Sequence, residues 1–321
     1  MNKTPIFKRV AIVGIGLIGS SLSRAIKSNK LAAHVAVHDI SIDALETAEK
    51  LSIADSYHEK ISDAVFESDL IVLAIPVRVY GKTVSSMVSS LSSGAILTDV
   101  GSVKEEVIRV VKPILPPDTH LVPGHPVAGT EHSGPESGFS NLFQDRWAIL
   151  TPESETDKNA VQIVKEMWQS VGSDVEIMEA SHHDRVLAIT SHLPHLIAYT
   201  IVATAADLES QLKNEKSDED MVTTAEVIKY SAGGFRDFTR IAGSDPVMWR
   251  DVFLSNKEAV LEMLGRFTED LSALQKAIRW EDGDQLEALF TRTRSIRRSV
   301  VEAGQAGGFQ YTEVNSDKSE T

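Results

Sequence analysis

The chain has 321 residues, 42% hydrophobic and 24% charged, the composition of a globular protein with room for two domains and a buried core. A formal net charge of −14, from 46 acidic against 32 basic residues, argues against a nucleic-acid-binding surface, which needs clustered cations. The absence of cysteine excludes disulfides, thiolate metal sites and cysteine nucleophiles together, and fits a reducing cytoplasm.

The opening "MNKTPIFKRVAIVGIGLIGSSL" is not read as a secretory signal, because glycines break its apolar run and no small-residue cleavage site follows. No apolar stretch is judged to approach the ~20 residues that cross a bilayer, so no membrane partner is expected. The first half then alternates short β-branched runs with helical patterns. Strands are expected at "RVAIVG", "HVAVHD", "DLIVLAIP" and "AILTDV", with helices over Leu17 to Ser28, Ile42 to Leu51 and Val77 to Leu91. Strands apolar on both faces, each followed by a helix, indicate a parallel sheet covered on both sides. "THLVPG" and "RWAILTP" are expected to extend that sheet, and "NAVQIVKEMWQSVG" with "DVEIM" adds a further helix and strand.

From Ala180 onward the periodicity is helical, with amphipathic runs over Arg185 to Leu208, Pro246 to Lys276 and Gln285 to Ala303. The expected organisation is an α/β domain over residues 1–179 with a Rossmann-type, doubly wound, mostly parallel sheet. An all-helical domain follows over 180–305, then a disordered tail over 306–321. The acidic "LKNEKSDEDMV", around Lys213 to Asp220, reads as a mobile surface loop. The basic cluster "RTRSIRR", Arg292 to Arg298, reads as a solvated face or a dimer contact.

"VAIVGIGLIGSSL" carries Gly14, Gly16 and Gly19 as G-x-G-x-x-G directly after a strand and opening a helix. The first glycine permits a tight turn, the second lets a pyrophosphate approach the backbone, and the third allows close helix packing. The amides of Leu17 and Ile18 then meet the phosphates. Asp39 ends the second strand, where a carboxylate accepts both ribose hydroxyls of NAD and repels a 2′-phosphate; no arginine follows at once, which favours NAD over NADP. Pro76 and Val77 close the fourth strand and would line the cofactor cleft. At the next strand end, "TDVGSVKEEV" sets Asp99, Gly101, Ser102 and Lys104 at a strand-to-helix turn. Ser102 with Glu105 three residues on has capping-box spacing, so Ser102 is either a helix cap or a cap that also touches substrate.

The segments "DVGSVK", "GHPVAGTEHSGP", "TSHLPH" and "GGFRDFTRIAGSDPVMWRDVFLSNK", in this order after the glycine motif, resemble the prephenate/arogenate (cyclohexadienyl) dehydrogenases of tyrosine biosynthesis, over about Lys8 to Ala303. The resemblance implies oxidative decarboxylation: a hydride leaves the ring carbon bearing the hydroxyl for NAD, the ring carboxylate leaves as CO2, and the ring becomes aromatic. It also implies a homodimer built through the helical domain. By carry-over, His125 accepts the hydroxyl proton and Ser102 holds the same oxygen, a role neutral imidazole fills well at physiological pH. Thr130 and Glu131 sit at the mouth of the site, where Glu131 could act as a gate; His132 has no counterpart and is expected to be exposed.

In "TSHLPHLIAY", Ser191 and His195 fall on one helix face, with His192 turned away, and Pro194 frees the carbonyl of Thr190. His195 is carried over as a contact to the substrate side chain, whereas His182, His183 and His192 read as core histidines. Arg240 aligns with the family's carboxylate-binding arginine, Arg236 is its local competitor, and Asp237 is placed to orient it. Ser244 or Asp245 caps the next helix, with Pro246 in its first turn. Trp249, one turn in, is either core or dimer packing or a wall of the substrate pocket. No metal-ligand spacing is met, so no metal is expected. Two other readings stay open at this level: a non-catalytic NAD sensor on the same fold, and another two-domain NAD-dependent dehydrogenase.

Overall fold

The computed structural model describes residues 4–130, 132–215 and 232–302. Six strands form one parallel sheet in the order β3-β2-β1-β4-β5-β6. They are β1 (Phe7–Val13), β2 (Ala32–His38), β3 (Ser56–His58), β4 (Leu70–Leu73), β5 (Ile96–Asp99) and β6 (His120–Val122). All residues of β4 and β5 are buried, as expected of strands covered by helices on both faces. The helices α1 (Leu17–Ser28), α2 (Ile42–Lys50), α3 (Ile61–Val65), α4 (Tyr80–Met87) and α5 (Glu105–Val111) connect them. Strand order reverses between β1 and β4, and the crevice at their carboxyl ends is where such sheets bind ligands. The expected doubly wound α/β fold followed by helices is the fold observed. The short edge strand β3 was not anticipated; only three residues pair, too few to leave a periodic signal.

"RWAILTP" does not extend the main sheet. It forms β8 (Trp147–Leu150) of a separate three-stranded sheet, antiparallel to β7 (Gly124–Pro126) and parallel to β9 (Asp174–Ile177). The chain turns at Pro123, so "THLVPG" ends as β6, and His125 lies in β7 rather than at the end of the preceding strand. Helix α6 (Lys158–Ser170), capped by Asp157, packs beside β9 and buries Trp168 against Phe143.

The helical part begins with α7 (Ala180–Leu187), a π-helical turn at Ala188–His192, and α8 (Leu193–Glu215). Pro194 cannot donate to the carbonyl of Thr190, and the wider π turn absorbs that loss at the point where α8 starts. Helix α8 continues through Glu215, so the first part of the acidic segment is helical; the remainder lies outside the described residues, as does the tail after Glu302. The stretch Ala180–Gln211 is, by length and composition, long and apolar enough to cross a membrane, contrary to expectation. Its Leu, Ile, Val and Ala outweigh Pro194 and the histidines in the average.

Next come α9 (Gly233–Thr239), a 3₁₀ turn at Arg240–Gly243, α10 (Pro246–Ser255), α11 (Lys257–Arg279) and α12 (Gly283–Glu302). The single run expected from Pro246 to Lys276 is thus broken at Asn256.

The chain divides into two compact units, Met1–Met263 and Leu264–Thr321. In the first, α10 packs on the turn Val77–Val79, and Trp249 and Val252 join the core of Val77, Tyr80 and Val103. The second holds the end of α11 and α12, on which Phe290 and Ile296 are exposed.

Candidate active site

The turn from β1 to α1 is built for close approach. Gly14 has φ +95°, and a Cβ there would collide with the carbonyl oxygen of Ala74, the residue just after β4. A Cβ on Gly19 would collide with the carbonyl oxygen of Gly14, so α1 can start this near the sheet only with glycine there. Gly16 differs, because a Cβ there would meet nothing within 4 Å, and it caps α1 without any side-chain hydrogen bond. Open space therefore lies over a helix start whose first N–H groups lack partners within the helix. Asp39 accepts the Ile15 N–H and the Ser41 N–H, both at 2.9 Å, tying the glycine turn to the end of β2. Pro76 and Val77 follow β4 on the same sheet edge, Pro76 exposed and Val77 buried.

These residues fit a dinucleotide: room and donors for the pyrophosphate at Gly16, Leu17 and Ile18, and a carboxylate at Asp39. Gly16→Val is expected to weaken NAD binding at least ~10-fold, by blocking that approach, with thermal stability nearly unchanged. Fluorescence titration with NAD beside a melting curve checks this.

One sheet position along, a buried ion pair frames the centre. Lys104 Nζ donates to Asp99 Oδ2 at 2.6 Å and to the Gly124 carbonyl at 2.7 Å, and its side chain is fully buried. The Asp99 carboxylate accepts the N–H groups of Gly101 (2.8 Å) and Gly124 (3.0 Å) as well as the Tyr80 hydroxyl (3.3 Å). Gly124 is thus held at both its N–H and its C=O, which fixes the backbone that carries His125.

Capping of α5 departs from expectation. Ser102 does not cap it; helix α5 begins at Glu105, with Lys104 as the cap position and no local side-chain bond. The orphan N–H groups of Lys104 and Glu105 instead donate to the two carboxylate oxygens of Asp184 on α7, at 2.8 and 3.0 Å. A cap supplied from 80 positions away leaves no spacing pattern.

Asp184 also accepts from His183 Nδ1 at 2.8 Å, and His183 Nε2 lies 2.9 Å from His125 Nδ1. The carboxylate can only accept, so His183 carries its proton on Nδ1 and its Nε2 is a lone pair. His125 must then donate from Nδ1, which leaves its Nε2 as a free base. Burial, reinforced by His183 and Lys104, holds His125 well below the ordinary imidazole value, and burial lowers His183 as well. A neutral imidazole held in this tautomer has the chemistry a general base needs.

Around this chain stand other candidates. His192, expected to turn away, is fully buried, with its Nδ1 3.2 Å from Asn256 Nδ2. Its core reading and that of His183 therefore miss what they contact: both belong to the site's polar cluster. His195 donates from Nδ1 to the Ser191 carbonyl at 2.9 Å and stacks on Trp249, ring centroids 3.7 Å apart. Trp249 is 6% exposed, and its indole N–H is buried with no acceptor among the described residues. Arg240 begins the 3₁₀ turn after α9, and its charge acts on His195 to lower it further, after burial. Of the two cap candidates Asp245 is the cap of α10, accepting the Met248 N–H at 2.8 Å.

Ser102 and Ser191 are half-buried, and Thr130, half-buried in the loop after β7, accepts the His132 N–H at 3.3 Å while His132 is exposed. Glu131 lies outside the described residues. The sequence assigns no catalytic or binding role to Asp99, Lys104, His183, Asp184 or Asn256. The one sequence sign was the charged and imidazole triplet His182-His183-Asp184 beginning a helix.

Two family descriptions match the chain: "Prephenate dehydrogenase, nucleotide-binding domain" over residues 22–177 and "Prephenate dehydrogenase, dimerization domain" over residues 179–292. The chain belongs to the prephenate dehydrogenase family. Among its relatives, the cyclohexadienyl dehydrogenase of Zymomonas mobilis is 40% identical, over 92% of this chain and 97% of that protein. The prephenate dehydrogenase of Bacillus subtilis is 31% identical, over 90% of this chain and 75% of that one. The solved structure of A. aeolicus prephenate dehydrogenase in complex with hydroxyphenyl propionate and NAD+ superposes with a TM-score of 0.82 at 34% identity, covering 94% of this chain and all of that one.

Proposed function

We propose that this member of the prephenate dehydrogenase family oxidatively decarboxylates prephenate to 4-hydroxyphenylpyruvate, arogenate to tyrosine, or both, using NAD. The observation that carries the reading is the buried chain Asp184–His183–His125, which leaves one lone pair on His125 Nε2 beside a dinucleotide cradle. The relatives' names, and the hydroxyphenyl propionate and NAD+ held by the A. aeolicus protein, support the same substrate class.

NAD, when bound, takes the hydride from the ring carbon that bears the hydroxyl. His125 Nε2 accepts the hydroxyl proton as that oxygen becomes a carbonyl, and Ser102 holds the oxygen. His183 and Asp184 keep the imidazole in the required tautomer. When the bond to the ring carboxylate breaks, its electron pair flows through the ring to the oxygen, and the proton returns from His125 to give the phenol. Arg240 binds a substrate carboxylate bidentately, while His195, Ser191 and Trp249 contact the side chain, and Thr130 lines the mouth, for which Glu131 is the proposed gate. Residues 180–305 form the substrate and dimerisation part. A second copy covers the exposed Ile201, Val202 and Leu208 of α8, giving a homodimer located in the cytoplasm.

Arg240→Gln is expected to raise KM for prephenate at least ~10-fold with kcat little changed, in steady-state kinetics, because the arginine acts in ground and transition states alike. The pH dependence follows from His125. The base works deprotonated, and its value in the folded protein lies well below 6.5. Activity therefore stays level as pH falls through 6.5 and is lost only in more acid solution. A kcat/KM profile that breaks at or above the ordinary imidazole value would remove His125 from this role. Product analysis tests the reaction itself: one CO2 and one aromatic product are expected per reduced nicotinamide formed.

A further inference from the structure

Asn256 stands at the break between α10 and α11, with φ −111° and ψ 36°, and is 5% exposed. Its Nδ2 donates to the backbone carbonyl of Asp184 at 2.8 Å and lies 3.2 Å from Nδ1 of His192. A primary amide nitrogen has two hydrogens to give and accepts none, so both neighbours must be acceptors. His192 Nδ1 is therefore unprotonated, and the ring's one proton sits on Nε2. Burial pushes His192 down to about 4, so this tautomer persists at neutral pH.

That Nε2–H is buried and finds no acceptor among the described residues. The Ser102 backbone acts on the ring as a weak acceptor that raises it, the least of its causes and short of hydrogen-bond geometry, and the Trp249 ring stands edge-on at 6.0 Å. A buried donor left without an acceptor is costly unless a ligand supplies one. It sits among the groups that handle the substrate's ring oxygen: the Ser102 turn, and His125, on whose basicity it acts.

We propose that His192, its tautomer set by Asn256, is a further catalytic residue whose Nε2–H donates to the substrate's ring oxygen, the atom from which His125 takes the proton. The inference rests on the reaction proposed above. After the hydride and the hydroxyl proton have left, that oxygen is a carbonyl. Cleavage of the bond to the carboxylate then moves an electron pair through the ring onto it while CO2 departs. A fixed N–H donor stabilises the charge as it develops, before the proton held on His125 returns. Asn256 acts through His192 and is a positioning residue.

The test uses the full chain with NAD. In ¹⁵N-histidine NMR, wild-type His192 is expected as the Nε2–H tautomer, with that proton moving downfield when 3-(4-hydroxyphenyl)propionate is added. Asn256→Asp replaces the donor with an acceptor, and should flip His192 to Nδ1–H and lower kcat by about 10²-fold with KM for NAD within about twofold. His192→Gln, whose amide nitrogen reaches the Nε2 position, should keep at least about tenfold more kcat than His192→Ala. A wild-type Nδ1–H tautomer, equal activity in the Gln and Ala variants, or a flipped tautomer with unchanged kcat would each overturn the proposal. Wild-type protein that turns over neither prephenate nor arogenate defeats the underlying reaction instead, and is read in the same assay before any variant is made.

Discussion

Replacing His125 with asparagine is expected to lower kcat by ~10²–10⁴-fold while KM for prephenate moves only a few-fold. The chain of bonds gives the reason. Asp184 can only accept, which fixes the proton of His183, which in turn fixes the lone pair of His125 on Nε2. Asparagine can still meet His183 through its amide but has no group that takes a proton at neutral pH, so the loss falls on the chemical step. Steady-state kinetics decide the matter. A variant that kept kcat and lost KM would turn His125 into a binding residue and leave the reaction without its base.

Lys104→Met is expected to destabilise the protein by ~3–5 kcal/mol, the usual result of removing one partner of a buried ion pair. Asp99 would keep the Gly101 and Gly124 N–H bonds and the Tyr80 hydroxyl but lose its only opposing charge among the described residues. The Gly124 carbonyl would lose its donor too, loosening β7 under His125. Urea denaturation should show the midpoint fall with the slope unchanged. Asp99→Asn with Lys104→Met should recover much of the loss, because no uncompensated charge then remains. A single-variant loss below ~1 kcal/mol would mean that Lys104 is not the counter-charge the geometry makes it.

What could be read from the sequence was what is local. The glycine motif, the carboxylate 25 positions after Gly14 and the Asp-Pro start of α10 each declare themselves within a few residues; the structure sets Gly16 at an open helix start, ties Asp39 to the glycine turn and makes Asp245 the cap of α10. Ser102 had the spacing of a cap, but the cap came from Asp184, because a carboxylate on a neighbouring helix satisfies two orphan amides at once. "RWAILTP" had the pattern of a strand; pattern gives no partner, and the turn at Pro123 sends β7 and β8 into a sheet of their own. The histidines were hardest. Periodicity ranks His183 and His192 as core, and they are buried. What sets them apart from ordinary core residues is their contacts with His125 and Asn256, 58 and 64 positions away, which no local spacing encodes.

The most direct test of the function is the absorbance of reduced nicotinamide with NAD or NADP crossed against prephenate or arogenate, on the purified full chain. Turnover with NAD on at least one of the two substrates, and less with NADP, is the predicted result. Cofactor binding with no turnover of either substrate would contradict the assignment and leave a dinucleotide-binding protein without this chemistry.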